Sequence, residues 1–174
     1  GLAKAAGRIA HWLHRNTRQH ARDNVEAHYD LGNDFYGSWL DATMTYSSAV
    51  FGHLPPAGEA LETAQKRKIG LILDRTQMKA GDRLLEIGCG WGGLAEAALD
   101  RAPIAYHGIS LSPEQIRFAE ARLAGRGDWN ITLTDYRDVI GQYDAIASVE
   151  MVEAVGQEYW PAYFDCIARC LKPG

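Results

Sequence analysis

The sequence predicts an α/β protein: a parallel β-sheet with helices on its faces, preceded by an extension that is helical and then aromatic-rich. Three observations carry this expectation. From residue 83 onward, short apolar runs alternate with stretches of helical length. A glycine-rich turn, LLEIGCGWGG at 84–93, joins the first run to the stretch after it. The 174 residues suffice for one domain with one core, or for a domain with a small appendage. Alternation of this kind implies right-handed crossovers, with any ligand at the carboxyl ends of the strands. Hydrophobic residues at 47% and charged residues at 23% exclude disordered, collagenous and coiled-coil classes. No apolar run approaches the ~18 residues that span a bilayer, and no secretory signal pattern follows the basic N-terminus.

Residues 1–22 hold Lys4, Arg8, Arg15, Arg18 and Arg22 and no acid, a charge of +5, whereas the remainder carries −9. On a helical wheel of about 100° per residue these five and His11 fall within a sector of roughly 80°. Leu2, Ile9 and Leu13 fall opposite, with Ala5, Ala6 and Trp12 beside them. This is an amphipathic helix with a cationic face. It suits an anionic membrane surface, with Trp12 at the interface, and it equally suits a packed helix whose outer face is basic. Nucleic acid is disfavoured, because the acidic remainder would repel phosphate.

Residues 28–56 are irregular and aromatic-rich, with Asn33 or Asp34 placed to cap a short helix reaching Leu40. Tyr29, Phe35, Tyr36 and Trp39 are candidates for an apolar pocket or for plain core. Pro55, Pro56 and Gly58 close the segment, which places a boundary between an extension at 1–57 and a sheet domain at 58–174. A helix is expected over 59–78, and Gly81 and Asp82 make a turn. Strands follow at Arg83–Ile87, Ile104–Ile109, Ile131–Leu133 and Ala145–Val149. Helices are expected at about 91–101, 113–125 and 157–171. Ser112, Pro113 and Gln115 form a capping box at the third of these four helices. The closing Leu171-Lys172-Pro173-Gly174 reads as a turn toward a further strand, so the doubly wound sheet is expected to be truncated after its fourth strand and the helix that follows. The cysteines at 89, 166 and 170 have no CxxC spacing. They fit a reducing compartment rather than a disulfide framework or a zinc cage, and no metal site is expected. Cys166 and Cys170 read as buried packing residues.

The chemistry is concentrated in the glycine loop. Gly88, Gly90, Gly92 and Gly93 let the backbone turn tightly and approach a ligand, and the helix behind them offers free N–H groups. Gly88, Gly90 and Gly93 satisfy GxGxxG, yet the second strand ends in HGISLS, without the acid a dinucleotide ribose needs. Glu86 instead precedes the loop. A carboxylate there would oppose a pyrophosphate and attract an amine or sulfonium, which S-adenosylmethionine carries. Ser110 and Gln115, near the end of the second strand, are within reach of a ribose.

HYDLGNDFY (28–36), TMTYSSAVF (43–51), LLEIGCGWGG (84–93), GISLSPEQ (108–115), DYRD (135–138) and VEMVEAVG (149–156) together resemble, in order, the cyclopropane-fatty-acid synthases, bacterial phospholipid enzymes and mycolic-acid cyclopropane synthases alike. The resemblance covers about residues 20–174. It implies a Rossmann-like class I methyltransferase fold with an N-terminal helical extension, and methyl transfer from S-adenosylmethionine to the double bond of an unsaturated phospholipid acyl chain, forming a cyclopropane ring. The alternatives are a methyl-branched product or a non-lipid small-molecule substrate. By motif, the cofactor contacts are Tyr46, Ser47, Glu86, Gly88, Cys89, Gly90, Trp91, Gly92, Ser110, Leu111, Gln115, Tyr136 and Arg137. The resemblance also implies a bicarbonate ion held by Glu153 and near Ser48, which replaces the cysteine many members carry. Glu150 reads as solvent-facing or structural. The implied location is cytoplasmic, peripheral at the inner membrane surface.

Overall fold

The computed structural model describes residues 32–173. The amphipathic stretch 1–22 and Tyr29 lie outside the described residues. Four strands form one parallel sheet: β1 (Arg83–Ile87), β2 (Ala105–Ser110), β3 (Asp128–Leu133) and β4 (Ala145–Ser148). Their order is β3-β2-β1-β4, so the chain runs outward from β1 through β2 to β3 and then returns to the other side of β1. That reversal between β1 and β4 is where an open parallel sheet leaves a crevice at its carboxyl edge. The helices are α1 (Gly32–Gly37), α2 (Leu61–Thr76), α3 (Gly93–Arg101), α4 (Pro113–Leu123), α5 (Val152–Val155) and α6 (Trp160–Cys170).

The two-residue period of a strand explains the two cores. Leu84 and Leu85 are adjacent and both fully buried, because they point to opposite faces and both faces are covered. On the first face Leu84, Tyr106, Ile131, Ala145 and Ala147 pack with Ile69 and Leu73 of α2, Leu94, Ala95 and Ala98 of α3, and Ala119 and Leu123 of α4. On the other face Leu85, Ile87, Ile109 and Val139 pack with Tyr143 and with Tyr163, Cys166 and Cys170 of α6. The two cysteines are thus buried packing residues, as their spacing of one helical turn suggests.

Several boundaries differ from the sequence reading. β3 begins at Asp128, three residues earlier than expected, because pairing along the whole of β2 holds it in register from Ala105↔Asp128 to Ser110↔Leu133. Gly156, at φ +85°, separates α5 from the last helix, which opens with a 3-10 turn at Gln157–Tyr159 and is α-helical only from Trp160. Asn33 and Asp34 lie inside α1 and do not cap it, and the helix stops at Gly37 rather than Leu40. Asn33 is engaged elsewhere: Trp91 Nε1 donates to its Oδ1 at 2.7 Å. The Ser112 box is half formed. Ser112 Oγ accepts from Gln115 N at 3.3 Å, whereas the Gln115 side chain turns to Ser110, whose hydroxyl donates to Oε1 at 2.8 Å. After α6 the chain folds back, and Leu171 makes a parallel bridge to Tyr143 just ahead of β4.

Candidate active site

A cavity of about 850 Å³ opens at the carboxyl ends of β1, β2 and β4. Residues 39–51 form its opposite wall. Four hydrogen bonds pin that wall to α2 and α4. Gln65 Nε2, on α2, donates to the carbonyls of Thr45 (3.2 Å) and Ser47 (2.8 Å). Arg122, on α4, donates to those of Thr43 (2.6 Å) and Ala42 (2.7 Å). Tyr36, Met44 and Trp91 form a small apolar cluster joining α1 to the glycine loop.

The glycines of that loop have different duties. Gly90 lines the cavity at φ +52°, and a Cβ built there would meet nothing within 4 Å, so the backbone stands bare against open space. Gly92 does not line the cavity. Its φ is +80°, and a Cβ there would stand 3.1 Å from that of Ala119, so it serves the close approach of α3 to α4. Gly93 does line it, and its Cβ would lie 2.8 Å from the carbonyl oxygen of Thr43.

Glu86 points to the first face of β1 and is buried. Tyr106 Oη donates to its Oε2 at 2.5 Å. The tyrosine ring crosses the position opposite Glu86 in the register, which is Gly108; a Cβ on Gly108 would sit 2.7 Å from the Tyr106 hydroxyl oxygen. Burial pushes the Glu86 carboxyl up to about 8, against the opposing effect of the tyrosine bond. Glu86 lines the cavity, so the site presents a buried acid to whatever enters. Burial also raises the Cys89 thiol, which keeps it protonated and inert.

Tyr46, Ser47, Ser48, Glu86, Gly88, Cys89, Gly90, Trp91, Ser110, Leu111, Gln115 and Tyr136 all line this one cavity, as the sequence motifs imply. Three expected site residues do not. Gly92 is turned into the helix contact described above. Arg137 is held by Asp135, donating from Nε to Oδ1 at 2.7 Å and from Nη2 to Oδ2 at 2.5 Å. Glu153 is exposed in the first turn of α5 and outside the lining. Of the pocket aromatics, Trp39 lines the cavity, Tyr36 is core and Phe35 is largely exposed.

The carboxylate that lines the cavity after β4 is Glu150, which is solvent-exposed, as the sequence suggested, and also forms part of the cavity wall. Its Oε1 accepts from the Ser48 amide at 2.9 Å and from the Ser48 hydroxyl. The Ser48 hydroxyl bond above all holds the Glu150 carboxyl below the usual glutamate range, so it is ionised at neutral pH. Nearby Lys68 is buried, donates from Nζ to Ser47 Oγ at 2.5 Å and is drawn electrostatically to Glu150, although burial lowers its own proton affinity. Sequence reasoning missed Glu150, Gln65 and Lys68. The one available signal was VEMVE itself, whose two acids differ only in which side of the strand-to-helix turn they fall.

The two groups implied by the resemblance fit differently. S-adenosylmethionine, with its ammonium and sulfonium, fits a cavity that combines a buried acid with a bare glycine backbone. Bicarbonate fits poorly. Both donors of Ser48 already serve Glu150, Glu153 lies outside the cavity, and a fixed carboxylate there repels a second anion.

The sheet, the glycine turn after its first strand and the cavity at its switch point define a Rossmann-like class I methyltransferase fold. The chain belongs to the mycolic acid cyclopropane synthetase family, whose model matches residues 16–174. It is 43% identical to a tuberculostearic acid methyltransferase of Mycobacterium tuberculosis, over 96% of this chain and 43% of that protein. It is 42% identical to the cyclopropane-fatty-acyl-phospholipid synthase of Escherichia coli, over 84% of this chain and 37% of that one. Among solved structures, a cyclopropane synthase from Mycobacterium tuberculosis superposes with a TM-score of 0.82 at 31% identity, covering 87% of this chain and 53% of that chain. A mycolic acid cyclopropane synthase complexed with SAH and CTAB gives 0.80 at 31%, with the same coverage. Coclaurine N-methyltransferase, at 16% identity and a TM-score of 0.69, shares the fold. The chain thus spans less than half the length of these two sequence relatives and about half of the cyclopropane synthase structures.

Proposed function

We propose that the protein transfers the methyl group of S-adenosylmethionine to the double bond of an unsaturated fatty acyl chain of a phospholipid, closing a cyclopropane ring. The observation that carries this is a single cavity joining a buried acid, Glu86, to a partly apolar lining that includes Trp39, Leu40, Met44, Phe51 and Met151. Family membership and relatives named for fatty acid and mycolic acid chemistry support it.

When bound, S-adenosylmethionine supplies an electrophilic methyl on a sulfonium. Glu86 would hold its ammonium, the Gly88–Gly90 backbone would lie against it, and Ser110 and Gln115 would take the ribose. Tyr46 and Ser47 would close over it, held by Gln65 and Lys68. An alkene is a weak nucleophile, so the apolar wall has to fix the acyl chain in line with that methyl. The same wall excludes water, which would otherwise trap the cation left on the chain as an alcohol. No step is assigned to bicarbonate, for the reasons of fit given above.

A methyl-branched product is the second reading, favoured by the similarity to a tuberculostearic acid methyltransferase. The two products separate on where the proton leaves the chain. Among the described residues no helix is long and apolar enough to cross a membrane. We place the protein at the inner surface of the cytoplasmic membrane, drawn to anionic lipid by the basic face of residues 1–22.

The test incubates the intact protein with labelled S-adenosylmethionine and unsaturated phospholipid vesicles, and identifies products by mass spectrometry. Label in a cyclopropane or methyl-branched acyl chain is expected, and NMR of the product tells the two apart. Label confined to non-lipid acceptors, or tight NAD binding in calorimetry, would overturn the assignment.

A further inference from the structure

Ser48 and Glu150, both solvent-exposed, are 102 residues apart in sequence and meet on the cavity wall. Both donors of Ser48 converge on one carboxylate oxygen, Oε1. Among the described residues no hydrogen bond reaches Oε2. The carboxylate is carried there by a residue at φ +52°, directly after β4, a conformation that a side chain disfavours and that persists only where the surroundings enforce it. Lys68, at 7% exposure, donates to Ser47 Oγ and attracts the Glu150 carboxylate electrostatically. A fixed anion therefore occupies the two donors on which a free anion would have to rest.

We propose that Glu150 is the base of the reaction, its carboxylate taking the proton that leaves the methylated acyl chain. This rests on the methyl-transfer reading above. The π pair of the alkene forms the new carbon–carbon bond as the methyl–sulfur bond breaks, and that bond's electron pair stays on sulfur. The neighbouring chain carbon is left cationic. A Glu150 oxygen accepts a proton from the new methyl, and the released C–H pair closes the three-membered ring. Removal of a proton from an adjacent carbon instead leaves a double bond. The proton then passes to water at the cavity mouth, and the carboxylate is regenerated. A proton next to a cationic carbon is very acidic, so a carboxylate of ordinary or lowered basicity suffices. Ser48 is a positioning residue, holding Oε1.

The test uses the intact protein with Glu150→Gln, which keeps the shape, and Glu150→Gly, which relieves the backbone and so keeps the fold. Both variants should retain the SAH affinity of the unaltered protein in calorimetry. Turnover on unsaturated phospholipid vesicles should fall on the order of 10²- to 10⁴-fold in both, the usual contribution of a positioned base. Formate or bicarbonate should restore turnover in the glycine variant, whose Ser48 donors are vacated, and not in the glutamine variant. Independently of turnover, ¹³C-bicarbonate should bind the glycine variant by NMR and not the unaltered protein. Full turnover by Glu150→Gln would overturn the proposal, as would bicarbonate binding to the unaltered protein. Absence of any methyl transfer by the unaltered protein would sink the functional reading instead, and the bicarbonate titration still decides which anion Ser48 holds.

Discussion

Replacing Glu86 by glutamine isolates the buried acid. The carboxyl rises from its ordinary 4.5 to about 8 because it is buried and a single neutral donor, Tyr106, meets it. The sign follows from that direction. A raised carboxyl contributes stability that is fully present below the unfolded value of 4.5 and is lost as pH climbs through the folded value of about 8. At pH 7 the loss in the ligand-free protein is on the order of 3 kcal/mol. Glutamine cannot ionise and keeps an acceptor for Tyr106, so the ligand-free Glu86→Gln protein should unfold at higher denaturant concentration than its parent at pH 8 and similarly at pH 4.5. A cationic ligand reverses the balance, because it lowers the carboxyl's proton affinity and must expel the proton to bind well. Between pH 6 and pH 7.5 the affinity for S-adenosylmethionine should therefore rise, by up to about tenfold per pH unit when one proton is released. Calorimetry in buffers of different ionisation enthalpy reads that proton directly. The glutamine variant should bind more weakly, release none and show a flat profile. A flat profile in the unaltered protein, or an equal slope in the variant, would refute Glu86 as the ammonium's partner.

Three further outcomes are expected. Gly90→Val adds a side chain where nothing stands within 4 Å, at φ +52°, so it should cost only about 1–2 kcal/mol of unfolding free energy while abolishing S-adenosylmethionine binding in calorimetry. Gly93→Ala drives a Cβ to 2.8 Å from the Thr43 carbonyl, which Arg122 also holds; displacing that wall should cost about 1–3 kcal/mol by denaturant melts and weaken cofactor binding as well. Arg8→Glu with Arg15→Glu, on the basic face of residues 1–22, should reduce co-sedimentation with anionic vesicles at low salt and leave cofactor affinity intact, each removed charge being worth about 1 kcal/mol at an anionic surface. Unchanged sedimentation would assign that segment to packing.

The sequence by itself settled what depends on local pattern. Short apolar runs alternating with helical stretches specified a parallel sheet, because strands covered on both faces read as continuous apolar runs and each crossover between them takes a helix. The glycine loop marked the carboxyl edge of β1, and the absence of an acid after β2, with Glu86 before the loop, distinguished an amine-bearing ligand from a pyrophosphate. Twelve of the residues expected to bind or react do line one cavity, from Tyr46 to Tyr136. What sequence could not supply was direction. Gly92 and Gly93 are neighbours in one motif, yet one faces Ala119 and the other the cavity wall, because φ at each decides where a Cβ would point. Gly108 opens the GISLSPEQ motif, but only the register against Glu86 makes its missing side chain the space through which Tyr106 reaches the acid. Glu150 and Glu153 are three residues apart in one motif. Both are exposed, yet the left-handed turn at Glu150 brings the first to the cavity wall, and the start of α5 leaves the second outside it. The Ser48 donors that receive Glu150 lie 102 residues away, a pairing set by the return of β4 to the side of β1, which only the folded sheet could bring about.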